Sequence, residues 1–311
     1  MIAIIGAGMA GLACARRLAD AGRDVVVFDK GRGIGGRIAT RRTEFGSFDH
    51  GAQYATAEGV EFSAYLDSSV AAGRAARWPE ISEGKARIVG TPGMTALVRP
   101  LAMGLDIHRS TELSGLSRSR DGWQCRLADH GLARPFEQIV LTAPAPQTIE
   151  LLGEAAHLFP ELGQTVYAPC WTLMVAFETP LAAAPVHRGK GALGWAARNS
   201  AKPGREPAYE AWVAQAGPDW SRHHLELDRE AASARLLDLM AETLGINLPE
   251  PVYVSAHRWR YARVEHALGT PFLHEPELGI GFAGDGFLGG RIEAAFNSGH
   301  SLAGRMLEQV S

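Results

Sequence analysis

Four apolar residues, Ile2–Ile5, stand near the start of the chain and run directly into Gly6-Ala7-Gly8-Met9-Ala10-Gly11. A short, unbroken apolar run bounded by glycine predicts a strand buried on both faces, as in a parallel sheet. Residues 12–21 follow with an amphipathic helical pattern and end at Gly22, a helix stop signal. Val25–Phe28 repeats the buried-strand pattern and ends at Asp29. The order is strand, glycine-rich turn, helix, strand, acid. The glycines of G-x-G-x-x-G serve different ends. Gly6 allows the tight turn, Gly8 lets a pyrophosphate approach the backbone, and Gly11 lets helix and strand pack closely. The helix start, with Met9 and Ala10, offers free N–H groups and a positive dipole end to phosphate, and Asp29 can accept hydrogen bonds from a ribose diol.

Further along, residues 105–127 alternate and carry Asp121-Gly122, which predicts a β-hairpin. Residues 138–142 form another apolar strand suited to the parallel sheet. Residues 171–177, 209–215 and 252–261 read as strands, and residues 227–244 as a helix with Asp228 near its start and Gly245 at its end. Residues 199–207 are a polar Gly/Pro loop, either a lid or a surface turn. Residues 278–283 read as a buried strand, followed by Gly284-Asp285-Gly286, Leu288-Gly289-Gly290-Arg291 and a helix over residues 292–307.

Composition narrows the function classes. A 311-residue chain with a formal net charge of -3 and no long basic block has little to attract nucleic acid or an anionic membrane. Three widely spaced cysteines (Cys14, Cys125, Cys170) with no CxxC argue against disulfides and zinc, fit a reducing cytoplasm, and leave no metal site expected. The apolar start resembles a signal peptide, but no basic region precedes it and no stretch of about 18 apolar residues follows, so it reads as the first strand.

The segment after Asp29 separates the possible nucleotides. Lys30-Gly31-Arg32-Gly33-Ile34-Gly35-Gly36-Arg37 is a second glycine-rich loop, and Arg37 can place a guanidinium on a phosphate. This D-K-x-x-x-x-G-G-R pattern resembles the FAD fingerprint of the amine oxidase-like flavoprotein superfamily. Within it, the chain resembles the bacterial renalases through Asp49-His50-Gly51-Ala52-Gln53-Tyr54, Gly93-Met94-Thr95-Ala96-Leu97, Ala143-Pro144-Ala145-Pro146-Gln147, Trp195-Ala196-Ala197-Arg198-Asn199 and Ala256-His257-Arg258-Trp259-Arg260-Tyr261-Ala262.

The resemblance implies an α/β protein: a discontinuous Rossmann-type FAD-binding domain with a central parallel sheet (residues 1–57, 92–165 and 270–311), and a smaller α+β substrate domain with an antiparallel sheet (residues 58–91 and 166–269). Gly284, Asp285, Arg291 and Ile292 are implied as the C-terminal half of the flavin site, with Asp285 on the ribityl or phosphate part. A helix N-terminus there suits the negative charge of reduced flavin. The segment 262–277 matches nothing recognisable.

For the substrate, alternation places His257, Trp259 and Tyr261 on one strand face, with Arg258 and Arg260 on the other. That aromatic face either flanks a flat substrate ring or packs on a core. Gln53 and Tyr54 either reach the flavin edge or serve as buried structural groups. Asn199 and Arg198 are weaker candidates for a carboxamide or phosphate. The resemblance implies oxidation of 2- and 6-dihydro isomers of NAD(P)H, a dihydropyridine dinucleotide substrate, with O2 as second substrate and hydrogen peroxide as product. No cysteine follows Cys170, so FAD is expected to be non-covalent. The chain is expected to be a monomer or weak dimer. An amine or polyamine oxidase, a flavin hydroxylase and a non-catalytic scaffold are the rival readings.

Overall fold

The computed structural model describes residues 1–81, 84–129, 131–133, 135–205 and 208–308. The chain forms two compact units: Met1–Gly36, Val98–Val166 and Val264–Ser311 in the first, Arg37–Leu97 and Tyr167–Arg263 in the second. Residues 37–57 and 92–97 thus pack with the second unit and residues 264–269 with the first.

The first unit is built on a six-stranded sheet in the order Leu273–Glu275, Ile280–Phe282, Gln138–Leu141, Ile2–Ile5, Val25–Phe28, Asp106–His108. Five strands are parallel, and Leu273–Glu275 adds an antiparallel edge. Ile2 lies opposite both Val25 and Gln138. All residues of Ile2–Ile5 and Val25–Phe28 are buried, as unbroken apolar runs require in a sheet covered on both faces. The helices Met9–Asp20 and Ile292–Glu308 lie against each other at backbone distance, since a Cβ on Gly299 would stand 2.0 Å from the Ala10 carbonyl oxygen. Arg17 donates to the His300 carbonyl at 2.8 Å. Segments nearly 300 residues apart in the chain therefore build one unit.

The hairpin predicted over residues 105–127 is shorter than expected. It comprises only Leu113–Ser119 and Gly122–Leu127. Asp106–His108 is a separate strand that pairs in parallel with Val25–Phe28. Alternation is common to both arrangements. The break comes at Ser110, whose φ of 53° redirects the chain.

The second unit holds a five-stranded sheet in the order Val186–Arg188, Leu193–Arg198, Glu210–Ala216, Val166–Phe177, Tyr253–His266. Alternate residues separate its two faces. Trp212, Ala214 and Ala216 face a core shared with Leu236 and Met240 of the helix Arg229–Leu244. That helix begins with the Asp228 carboxylate accepting from the Ala231 N–H at 2.8 Å and ends at Gly245 with a φ of 66°, the two signals expected from sequence. Ala211 and Val213 face the other way, against Phe48 of the hairpin formed by Thr40–Thr43 and Gly46–Asp49. This packing is why residues 37–57 join the second unit. No described helix is long and apolar enough to cross a membrane.

Candidate active site

The glycine-rich turn is held by contacts that only glycine permits. Gly6 has a φ of 113°, and a Cβ there would meet Thr142 Oγ1 at 2.4 Å. A Cβ on Gly11 would stand 1.9 Å from the Gly6 carbonyl oxygen. Gly8 differs, because its Cβ would meet nothing within 4 Å. The turn is tight behind and open in front, which leaves room for a phosphate against the backbone. Asp29 ties this loop to the next, with Oδ2 accepting from the Ala7 N–H and Oδ1 from the Gly31 N–H, both at 2.6 Å. Gly35 donates to the Ala7 carbonyl at 2.8 Å, so the second glycine loop lies on the first. The helix Met9–Asp20 has no side-chain cap and no acid in its first turn, so its positive end is not neutralised from within. These residues fit the pyrophosphate and ribose of a dinucleotide.

The C-terminal candidates lie in the same unit. Gly284 donates to Ser298 Oγ at 2.8 Å, buried Asp285 opens the short helix Asp285–Leu288, and exposed Arg291 precedes Ile292 at the start of the long helix. Lys30 is exposed and 3.8 Å from Glu112. Arg37 belongs to the second unit, where it donates to the Tyr261 carbonyl at 3.3 Å and lies 5.9 Å from the Tyr167 ring centroid.

The second unit contains an ion cluster that sequence reasoning missed. Asp49, Lys202 and Arg205 have side chains 0%, 0% and 3% exposed, so the two cations depend on this one carboxylate for charge compensation. Asp49 Oδ1 accepts from Thr40 Oγ1 at 2.7 Å and the Met94 N–H at 2.9 Å. Its Oδ2 accepts from Lys202 Nζ at 3.1 Å and Arg205 Nη2 at 2.5 Å. Burial pushes this carboxyl up, but Lys202, Arg205 and the two neutral donors outweigh it and hold Asp49 well below the usual carboxylate range. Burial pulls Lys202 down to about 8, with Asp49 opposing and Arg205 adding. Residues 199–205 are therefore neither a lid nor a surface turn at their centre. Glu206 and Pro207 of the predicted loop lie outside the described residues.

This cluster also decides where two sequence candidates sit. Gln53 Nε2 donates to the carbonyls of Asp49 at 2.6 Å and Gly51 at 3.0 Å, while its Oε1 accepts from Lys202 at 3.1 Å. Asn199 is fully buried, donating to the Ser47 carbonyl and accepting from the Asp49 N–H. Both amides are engaged in holding the segment 47–53. Arg198 pairs with Glu210 at 2.8 Å. Tyr54 packs on Trp78 and Trp195, its ring centroid 6.4 and 5.9 Å from theirs.

Structure and sequence agree on the face of the last long strand in the second unit. His257 and Trp259 touch on one side, their ring centroids 4.4 Å apart, while Arg258 and Arg260 reach Glu226 at 3.2 and 2.8 Å on the other. His50, from the Asp49–Tyr54 stretch, completes the group. Its ring lies 5.0 Å from His257 and 5.2 Å from Trp259, and Trp259 Nε1 donates to its carbonyl at 2.8 Å. Burial, then Arg41, lowers the His50 pKa to about 4. Burial, then His50 and Arg41, lowers that of His257 to about 3. Both imidazoles are neutral near pH 7, able to donate or accept a hydrogen bond but not to act as cations.

Acid should therefore destabilise the protein through this pair. The unfolded imidazoles take up protons below about pH 6.5, whereas the folded ones resist until pH about 4 and 3. The unfolded state binds more protons in that window, so stability falls as pH drops through it. His50 alone should account for a loss on the order of 3 kcal/mol between pH 7 and 4. Urea unfolding of the wild type and His50→Gln at pH 7 and 4.5 tests this, and equal losses in the two proteins would refute it.

Among the described residues, no group of His, Cys, Asp and Glu is arranged to hold a metal. Burial pushes the Cys14 and Cys125 thiols up to about 12 and Cys170 to about 11.

Comparison with known proteins accounts for both units. Residues 4–68 match the model of an NAD(P)-binding Rossmann-like domain, and residues 75–307 match that of flavin containing amine oxidoreductase. The chain is 25% identical to renalase of Mus musculus over 343 residues, covering 97% of each chain. Similar solved structures include one from Exiguobacterium sp. 255-15, with a TM-score of 0.78, 16% identity and coverage of 99% and 98% of the two chains. Cyclohexylamine oxidase from Brevibacterium oxydans IH-35A aligns with a TM-score of 0.74 and 13% identity, covering 99% of both chains. At these identities the structures show a shared fold, while the family match spans most of this chain. The chain belongs to the flavin-containing amine oxidoreductase family, as a flavin-dependent oxidoreductase of renalase-like sequence.

Proposed function

We propose that this oxidoreductase binds FAD non-covalently and oxidises the 2- and 6-dihydro isomers of NAD(P)H. A dihydro isomer, O2 and one proton give NAD(P)+ and hydrogen peroxide. The observation that carries this reading is the likeness to mouse renalase over 97% of both chains. When bound, the flavin supplies a hydride acceptor that returns its two electrons to O2. In this reading Gly6, Gly8, Met9, Ala10, Gly11 and Asp29 hold the phosphates and ribose, and Gly284, Asp285, Arg291 and Ile292 hold the flavin end. The neutral His257 ring and Trp259 contact the dihydropyridine. The ring nitrogen lone pair drives hydride loss, so the protein need not remove a proton, and an imidazole that stays neutral suffices for orientation. Thiols pushed up to about 11 and 12 make poor nucleophiles, which supports non-covalent FAD. We place the protein in the cytoplasm as a monomer or weak dimer.

An amine oxidase is the second reading, favoured by the family match and by the same uncharged aromatic group, which suits a neutral amine. Anaerobic mixing of the flavin-loaded protein with 6-dihydro-NAD, NADH or a panel of amines separates the two. Rapid flavin bleaching by the 6-dihydro isomer alone is the expected result. Bleaching by an amine and not by the isomer would overturn the first reading in favour of the second. A protein that takes up no FAD would leave a non-catalytic scaffold.

A further inference from the structure

Several buried or partly buried cations of the second unit have an acidic partner. Arg198 has Glu210, Lys202 and Arg205 share Asp49, and Arg258 has Glu226. The Arg41 guanidinium is partly buried and has no hydrogen-bond or ion-pair partner among the described residues. Strand register fixes its place. Arg41 lies opposite Phe48 in the hairpin, and directly opposed residues share a face. Phe48 stacks on Tyr253 at 5.2 Å, and Tyr253 begins the strand that carries His257 and Trp259 on the same side. Beyond burial, the charge on Arg41 lowers the pKa of both His50, two residues on from Phe48 and on the same face, and His257, whose ring lies 5.0 Å from that of His50.

The neighbouring groups leave this charge uncompensated. Asp49 already accepts four hydrogen bonds, two of them from cations. Arg229 adds a second positive charge acting on His257. His50 Nδ1 is buried with no hydrogen-bond partner. A partly dehydrated guanidinium beside imidazole nitrogens, with the nearby Asp49 carboxylate already taken up, has the chemistry of a phosphate site. We propose that Arg41, with His50 and His257 beside it, binds a phosphate group of the dinucleotide substrate. The inference rests on the substrate reading above, and it assigns to Arg41 the preference for a dinucleotide over a bare dihydropyridine.

The test compares wild type, Arg41→Gln and Arg41→Lys, each loaded with FAD, on 6-dihydro-NAD, 6-dihydro-NADP and the 6-dihydro isomer of N-methylnicotinamide, which has no phosphate. Arg41→Gln should raise KM for the dinucleotides by about 10–100-fold, the range for losing a charged hydrogen bond, with kcat nearly unchanged. The phosphate-free substrate should not respond, and Arg41→Lys should recover part of the loss. A larger effect on 6-dihydro-NADP assigns the site to the 2′-phosphate, and equal effects assign it to the pyrophosphate. Calorimetric titration with inorganic pyrophosphate gives a second readout that needs no turnover. If neither isomer is oxidised but pyrophosphate binding still depends on Arg41, the substrate reading fails and the anion site stands. Equal pyrophosphate affinity in wild type and Arg41→Gln, or equal KM changes with and without phosphate, would overturn the proposal.

Discussion

Replacing Asp49 with Asn should lower the unfolding free energy by about 3–5 kcal/mol, the cost of leaving a buried charge uncompensated. The carboxylate pairs with two cations whose side chains are 0% and 3% exposed, and offsets one of their two charges. Asn retains the shape and some hydrogen bonds but not the charge. Lys202, already lowered to about 8, can escape by releasing its proton. Arg205 has no such route, because a guanidinium stays protonated in proteins. Lys202→Met should therefore cost less than Asp49→Asn, since it leaves a neutral Asp49–Arg205 pair. The loss should spread through the segment 47–53, because Asp49, Gln53, Asn199 and Lys202 are linked by hydrogen bonds. Urea unfolding at pH 7 measures the difference. A cost below about 1 kcal/mol for Asp49→Asn, within the range of an ordinary surface change, would show that the cluster does not hold the second unit together.

The glycines of the first loop should divide into two classes. Gly8→Ala meets no atom within 4 Å and keeps an ordinary φ of -79°. Its effect on the apoprotein should be limited to the weaker helix cap that Ala provides, about 0.5–1 kcal/mol. Its effect on FAD should be larger, because the added methyl occupies the space a phosphate needs. We expect about a 10–100-fold loss of affinity, or roughly 1.4–2.8 kcal/mol. Gly11→Ala should instead damage the fold, because its Cβ would stand 1.9 Å from the Gly6 carbonyl oxygen and force the helix away from the strand. Titrating FAD into each apoprotein by flavin fluorescence, alongside thermal unfolding, separates the two effects. Unchanged FAD affinity in Gly8→Ala would mean that this loop does not carry the phosphates.

The elements legible in the amino-acid order are those whose signals are local. An apolar run, a glycine at each close approach and an acid at a strand end act within a short stretch of chain. Ile2–Ile5, the turn, Met9–Asp20, Val25–Phe28 and Asp29 could therefore be read one after another. The helix Arg229–Leu244 was legible for the same reason, since Asp228 and Gly245 mark its ends through bonds to their own neighbours. His257 and Trp259 on one face, with Arg258 and Arg260 on the other, follow from the period of two alone.

Other features depend on partners distant in the chain. Asp106–His108 carries the alternation of a hairpin arm, yet its parallel partner is the far earlier strand Val25–Phe28. Lys202 and Arg205 sit in a Gly/Pro-rich stretch of the kind that is normally solvated. Their burial depends on Asp49, 153 and 156 residues earlier in the chain. A charged side chain gives no local sign that it will be buried, because the energy that permits burial comes from a partner brought in by the fold. His50 and Arg41 are further cases of the same kind. The neutrality of one and the unpaired charge of the other arise where the Thr40–Thr43 and Gly46–Asp49 hairpin packs beside Tyr253–His266, an arrangement that no local pattern encodes.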